Sequence, residues 1–388
     1  MDLIKAESKA KGRDNILSEE LEIEILARLP VISLLRFKCV CKSWRSIITR
    51  RFFIQKHLQV CNSTNPPDLL VQILSPYDFN LESASILPYD NPLDVKLIQA
   101  PPASPGSEIE GSCNGVVCLY NEANGNVVLW NPPTRETKVV PRSHIQRNER
   151  DADVEMQNVG FYFDVNNDDY RVVMTYACTQ NDPMSFQLQV YSLTTDSWRL
   201  VPGIQSMDLM LCSSGLYVGG MCSWSASKKE VVQDEADDGT WGWNFGRDEI
   251  LSFDISNEMI IRTPFPESIS IYFDGVEVSH LVVYKEYLAI INAGARSQEG
   301  RLLDIWVLRE PGVVESWTKS FTIGPLQYVP PPLGFWDSRL VLWQTNGREL
   351  FFHDCTTNQN TSLAISGDSL TLRIFRYKES LVQINSEN

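Results

Sequence analysis

Leu188-Gln-Val-Tyr-Ser-Leu-Thr-Thr-Asp-Ser-Trp198 reads as an alternating strand, a polar turn and the start of a second strand. Thr194, Thr195 and Asp196 suit the turn, because short polar side chains satisfy nearby backbone groups. The pattern recurs in Leu70–Pro76, Val127–Arg135, Ile250–Glu258, Leu303–Glu310 and Glu349–Asn358. Equivalent centres fall at Ile73, Trp130, Tyr191, Phe253, Trp306 and Phe352, with spacings of 57, 61, 62, 53 and 46 residues. Simpler apolar strands lie between them, such as Gly115–Tyr120, Tyr287–Ile291 and Arg339–Trp343. Two hairpins per repeat make four strands, and four-stranded units at this period predict a β-propeller. Six centres predict six blades. A large β-sandwich would also alternate, but would not explain the recurring hairpin. Leu372–Tyr377 and Leu381–Ile384 are expected to pair back with the first strands and close the ring.

The chain changes texture ahead of this region. Leu21, Ile25 and Leu29 are spaced i, i+4, i+8, which predicts one apolar helix face. Ser18 can cap that helix, with Glu19 and Glu20 in its first turn, and Pro30 ends it. Ser33 is expected to cap a second helix, Leu34 to Cys39. A third amphipathic stretch runs from Lys42 to about Leu58, with Trp44, Ile47, Ile48, Phe52 and Phe53 apolar. Three short helices make a small core. Their apolar residues exceed what it can bury, so the surplus must meet another surface. The fold class is therefore α+β in segregated domains: a short three-helix module and an all-β domain. The expected boundaries are a flexible 1–16, a helical 17–60, a linker 61–68, a propeller-like 69–384 and a tail 385–388.

Leu17 to Pro30, followed by Ser33-Leu-Leu-Arg-Phe-Lys-Cys-Val-Cys-Lys-Ser-Trp-Arg-Ser-Ile-Ile48, resembles an F-box. That resemblance implies docking on the Skp-type adaptor of cullin ubiquitin ligases. The adaptor-facing positions it implies are Leu17, Glu20, Ile25, Leu29, Pro30, Leu34, Val40 and Trp44. Ser18 stands where the family usually has proline. The later region is similar to the plant F-box-associated, kelch-like domain. The stretches that carry this are Gly111–Leu119, Leu129–Arg135, Gly160–Asp164 with Asp169–Val173, Val190–Arg199, and Ile305–Leu308 with Glu315–Trp317. Tyr377-Lys-Glu-Ser-Leu381 brings the S-locus F-box group nearest, whose targets are basic secreted ribonucleases. The function implied is a non-catalytic substrate receptor of an SCF-type ligase. The alternatives are a non-degradative F-box scaffold or a glycan-binding propeller.

The 388 residues carry a net charge of −15, unevenly spread. Residues 1–60 hold 12 Lys/Arg against 7 Asp/Glu, a net of +5, and the remainder carries −20. Such a domain repels nucleic acid and acidic membranes and attracts basic partners. No apolar run is long enough for a membrane-spanning helix, and the polar start does not read as a secretory signal. Cytoplasmic location, with the nucleus as a second compartment, is the expectation, and the nine cysteines are read as reduced, mostly buried apolar groups. Asp164 to Asp169 opens like a calcium loop but has Asp169 where such a loop needs glycine, so it reads as an Asx-rich turn. The four histidines are scattered, and no nucleotide, metal or hydrolase motif occurs. No cofactor is expected.

Two long non-repetitive segments, Arg142–Asn158 and Ser225–Asp248, are candidate target-binding loops. The second carries Asp234, Glu235, Asp237 and Asp238 beside Trp241 and Trp243, a combination suited to a basic surface.

Overall fold

A computed structural model describes residues 17–385 apart from 65, 74–82, 103, 144–153, 179–184, 203–208, 212–214, 234–240, 246–248, 270–271, 274–275, 278, 295–297, 299, 327–331, 345–348 and 367–371. The chain divides into two compact units, Met1–Asn65 and Pro66–Asn388.

The first unit holds four helices among the described residues, where three were expected: α1 (Glu19–Leu26), α2 (Val31–Phe37), α3 (Lys42–Thr49) and α4 (Arg51–Thr64). The Lys42–Leu58 stretch is broken at Arg50, whose ψ of 134° is extended. No proline or glycine marks the break. Ser33 does not cap α2; Pro30 precedes it, and the Pro30 carbonyl accepts from Ser33 and Leu34. Pro30 therefore begins the second helix as well as following the first. Ser18 does cap α1, with its Oγ accepting from Leu21 N at 3.4 Å. Helix α4 continues through residues 61–64, which the sequence reading had placed in a linker. Leu26, Ala27, Val31, Leu34, Ile47, Ile48 and Phe53 form the buried interior.

The second unit is a six-bladed propeller. Blade 2 shows the plan: Glu108–Cys113, Val116–Asn121, Asn126–Asn131 and Glu136–Val139, antiparallel and in sequence order from the inner strand outward. Blade 3 repeats it with Val154–Asp164, Asp169–Cys178, Ser185–Ser192 and Ser197–Leu200. In blade 4 the inner position is shared by Leu209–Leu211 and Leu216–Val218, followed by Met221–Gln233, Glu249–Asp254 and Met259–Pro264. Blade 5 is Ser279–Tyr284, Tyr287–Ala293, Arg301–Leu308 and Trp317–Leu326. Blade 6 is Pro332–Phe335, Leu340–Gln344, Glu349–Asp354 and Gln359–Ser366.

Blade 1 is built from both ends of the domain. Its inner strand is Leu372–Tyr377, paired with Asp68–Ile73 from Asp68↔Tyr377 to Ile73↔Leu372, and Ser83–Leu87 and Lys96–Gln99 follow. Closure by residues 372–377 was expected; pairing of Leu381–Ile384 is not seen. Leu381, Val382 and Ile384 are buried without forming a strand, and Asn131 Nδ2 donates to the Val382 carbonyl at 2.7 Å. The strap also explains Gly115. Its φ is +80°, and a Cβ there would lie 2.4 Å from Ser380 Oγ.

The recurring turn has a common geometry. In Asn131–Arg135, Ser192–Asp196, Asp254–Glu258 and Asp354–Asn358 the fifth residue is left-handed, with φ of 60°, 48°, 54° and 57°. The Asp254 and Asp354 carboxylates accept from backbone N–H groups two residues on, at 2.9 and 2.7 Å. Asp164 does the same for Asn166 at 3.1 Å, in a plain hairpin turn. The apolar core is a set of layers between neighbouring blades. One joins Tyr162, Val173 and Leu188 of blade 3 to Trp224, Leu251 and Phe253 of blade 4. A tryptophan that follows a turn bolts two blades together: Trp317 of blade 5 donates through Nε1 to the Pro264 carbonyl of blade 4 at 3.3 Å.

Candidate functional site

Two surfaces are candidate sites, one in each unit. In the helical unit α1 turns one face outward. Leu17, Leu21 and Ile25 follow each other at i, i+4 and are each about half exposed (50%, 52% and 51%). Ile32 on α2, Val40 after it and Phe52 at the start of α4 are also exposed. Ion pairs pin α1 to the rest of the module. Glu19 pairs with Arg50, and Glu24 pairs with Lys56 and with Arg28. Those cations hold the Glu24 carboxyl below its usual range. Buried His57 on α4 donates through Nε2 to the Leu29 carbonyl at 3.0 Å. Burial lowers its pKa, partly offset by that bond. The module thus fills its own interior and still presents a row of aliphatic side chains to solvent.

Of the adaptor-facing residues inferred from sequence, Leu17, Glu20, Ile25, Pro30 and Val40 are exposed. Leu29 and Trp44 are half-buried, with Trp44 tilted against Phe37 at 5.0 Å between ring centroids. Leu34 is fully buried, so its place is the module's core and not its surface. Leu21, Ile32 and Phe52 were missed as surface groups. For Leu21 the signal was present: it lies midway between Leu17 and Ile25 at helical spacing.

In the propeller the innermost strands of all six blades line a central cavity of about 550 Å³. Its apolar wall includes Phe161, Val218, Leu281, Leu333, Phe335 and Phe375, and its polar groups include Glu110, Ser112, Tyr217, Lys285, Glu286 and Arg376. Glu110 lies 3.3 Å from Arg373, which also pairs with Glu108. Burial pushes the Glu110 carboxyl up to about 7, against the pull of Arg373.

The segment Ser225–Asp248 is largely strand and not a long loop. Trp241–Phe245 pairs with the far half of Met221–Gln233, setting Trp241 opposite Gln233 and Trp243 opposite Val231. Asp234, Glu235, Asp237 and Asp238 lie outside the described residues, as does 144–153 within Arg142–Asn158. Val154–Asn158 belongs to the inner strand of blade 3.

Comparison with known proteins follows the same division. Residues 15–56 match the F-box domain and residues 86–384 the F-box associated beta propeller domain. The F-box/kelch-repeat protein At3g23880 of Arabidopsis thaliana is 27% identical over 331 residues, covering 83% of this chain and 84% of that protein. F-box protein CPR1 of the same plant is 23% identical, covering 88% and 83%. Among solved structures, TolB from Acinetobacter baumannii is similar at TM-score 0.44 and 12% identity, covering 84% of this chain and 73% of that one.

Proposed function

The chain belongs to the F-box associated beta propeller family, with an F-box ahead of the propeller, and from that premise we propose that it is a substrate receptor of a cullin-type ubiquitin ligase. The helical unit docks the Skp-type adaptor, and the propeller holds a protein target. The observation that carries this reading is the outward row of Leu17, Leu21 and Ile25 on a module whose interior is already filled. Solvated aliphatic side chains in such a row are stabilised by a partner's apolar surface. The receptor does no chemistry itself. Holding the target beside a ubiquitin-charged enzyme converts a bimolecular encounter into an effectively intramolecular one.

The target is a basic protein, and the support for this is the net −20 carried beyond residue 60. The basic ribonucleases captured by the S-locus group are one ligand of that kind. The working compartment is the cytoplasm, extending to the nucleus. A reconstitution tests the reading. The full chain should co-purify with adaptor and cullin and support polyubiquitination of a target recovered with it by mass spectrometry. A chain lacking residues 1–65 should lose the adaptor and keep the target. Adaptor retained by the shortened chain would refute the docking assignment. Target recovered without ubiquitin transfer would instead make the protein a scaffold.

A further inference from the structure

Arg376 is at once a cavity-lining residue and a half-buried guanidinium. Its Nε and Nη2 donate to the Phe335 carbonyl at 3.4 and 3.3 Å. Among the described residues no carboxylate lies within ion-pair distance of it. Its surroundings disfavour the charge, so burial pulls its pKa below the ordinary arginine value, with Asp337 opposing from farther away. The guanidinium nonetheless stays charged at any physiological pH.

A second cation is linked to it by a short chain of contacts. Phe335 meets Tyr284 edge-on, with ring centroids 4.8 Å apart. Lys285 follows Tyr284, and its Nζ sits 5.3 Å from that ring's centroid. Lys285 also lines the cavity, and no described carboxylate pairs with it. Of the acids nearby, Glu110 is paired with Arg373 and Asp337 is bonded to Tyr89 Oη at 2.6 Å, while Glu286 lines the cavity beside Lys285 at the same exposed turn. The wall is kept open by backbone. A Cβ built on Gly219 or Gly334 would meet nothing within 4 Å.

We propose that the propeller channel is a binding site for a small organic anion, whose carboxylate or phosphate is held by Arg376 and Lys285. Its apolar body packs on Phe335, Leu333 and Val218. Three arguments select this ligand class. A cavity of about 550 Å³ falls within the ordinary range for small-molecule sites, about 300–1,000 Å³. A guanidinium with part of its fork committed to a carbonyl still offers N–H donors to a planar or tetrahedral anion. The surrounding domain, at −20, disfavours an acidic polypeptide at the same place far more than it disfavours a mono- or dianion. Every residue lining the site belongs to the propeller unit.

The test uses the full chain and two probes, benzoate and inorganic phosphate, titrated at constant ionic strength with chloride as the balancing anion. Binding is followed by ligand-observed NMR and by tryptophan fluorescence. Saturable binding is expected, with benzoate the tighter because it also fills the apolar wall. Lys285→Gln, at an exposed turn, should weaken both about fivefold with unchanged melting temperature. Arg376→Lys should weaken phosphate less than benzoate, since the charge survives and the planar fork does not. Absence of saturable binding by either probe overturns the proposal, as does an affinity unaltered in Lys285→Gln. The second arm holds even if Arg376 variants fail to fold.

Discussion

Replacing Ile25 with aspartate separates the surface of the helical module from its interior. Ile25 is 51% exposed in the free chain. Fully burying an aliphatic side chain is worth about 1.5–3 kcal/mol, so covering the exposed half contributes about 1 kcal/mol to docking. Aspartate forfeits that and adds a carboxylate that must shed water against an apolar partner, at a further cost of several kcal/mol when no cation answers it. A combined loss of at least about 3 kcal/mol is more than a hundredfold in Kd. The module should survive, because the new charge faces water in the free chain. Leu34→Asp is the contrast. Leu34 is fully buried, so the same substitution sacrifices its full burial and strands a charge in a core made by four short helices. Adaptor affinity by biolayer interferometry, with amide exchange across residues 19–64, distinguishes the two. Ile25→Asp should lose affinity and keep protection, and Leu34→Asp should lose both. An Ile25→Asp chain that binds adaptor within threefold of the parent would falsify the docking face.

Further outcomes follow from the same geometry. Ser18→Pro should leave module protection within about 1 kcal/mol and adaptor affinity undiminished, because φ at Ser18 is already −64° and the cap bond is long at 3.4 Å; a clear loss of affinity would show that the hydroxyl matters more than the backbone. Arg135→Gly should stabilise the propeller by about 0.5–1 kcal/mol in urea titrations, since Arg135 is held at φ +60°; a destabilised variant contradicts this account of the turn. Burial lowers His280 to about 4, so the unfolded chain binds the extra proton below about pH 6.5 and stability falls from there towards pH 4. Glu110 has the opposite sign: raised to about 7, it contributes stability below about pH 4.5 that is lost as pH rises through 7. On going from pH 7 to pH 5, His280→Gln should therefore gain up to about 2 kcal/mol relative to the parent, and Glu110→Gln should lose by a similar amount; urea midpoints that shift alike in both variants would contradict the assignment. Reversing Asp234, Glu235, Asp237 and Asp238 to lysine should slow association of a basic target most at low ionic strength and leave adaptor binding intact; association indifferent to both salt and reversal would make recognition apolar.

Five of the six repeat centres read from sequence occupy equivalent third strands, because those hairpins are local, and four of them carry the same five-residue turn. Ile73 does not: it ends the second strand of blade 1, whose third strand is Ser83–Leu87. That blade joins strands from opposite ends of the domain, so no local hairpin could mark it. The helix break at Arg50 left no proline or glycine to read, and Ser33 looked like a cap because Pro30 was read only as a stop. Leu34 was misplaced for a related reason. On a helix of seven residues nearly every apolar position fits either face, and only packing decides between them. The channel was illegible, since its wall draws one or a few residues from each of six distant strands.

Asp68–Ile73 leaves the ribosome about 300 residues before Leu372–Tyr377, the strand it must pair with. At roughly 5–20 residues per second, that is a wait of about 15–60 s. During it, the nascent domain carries an open seam, and exposed strand edges recruit the wrong partners. The F-box is complete long before the ring can close. A chain could therefore engage its adaptor while its target-holding half is still unfinished, and substitutions that delay closure would reduce yield without touching either binding surface.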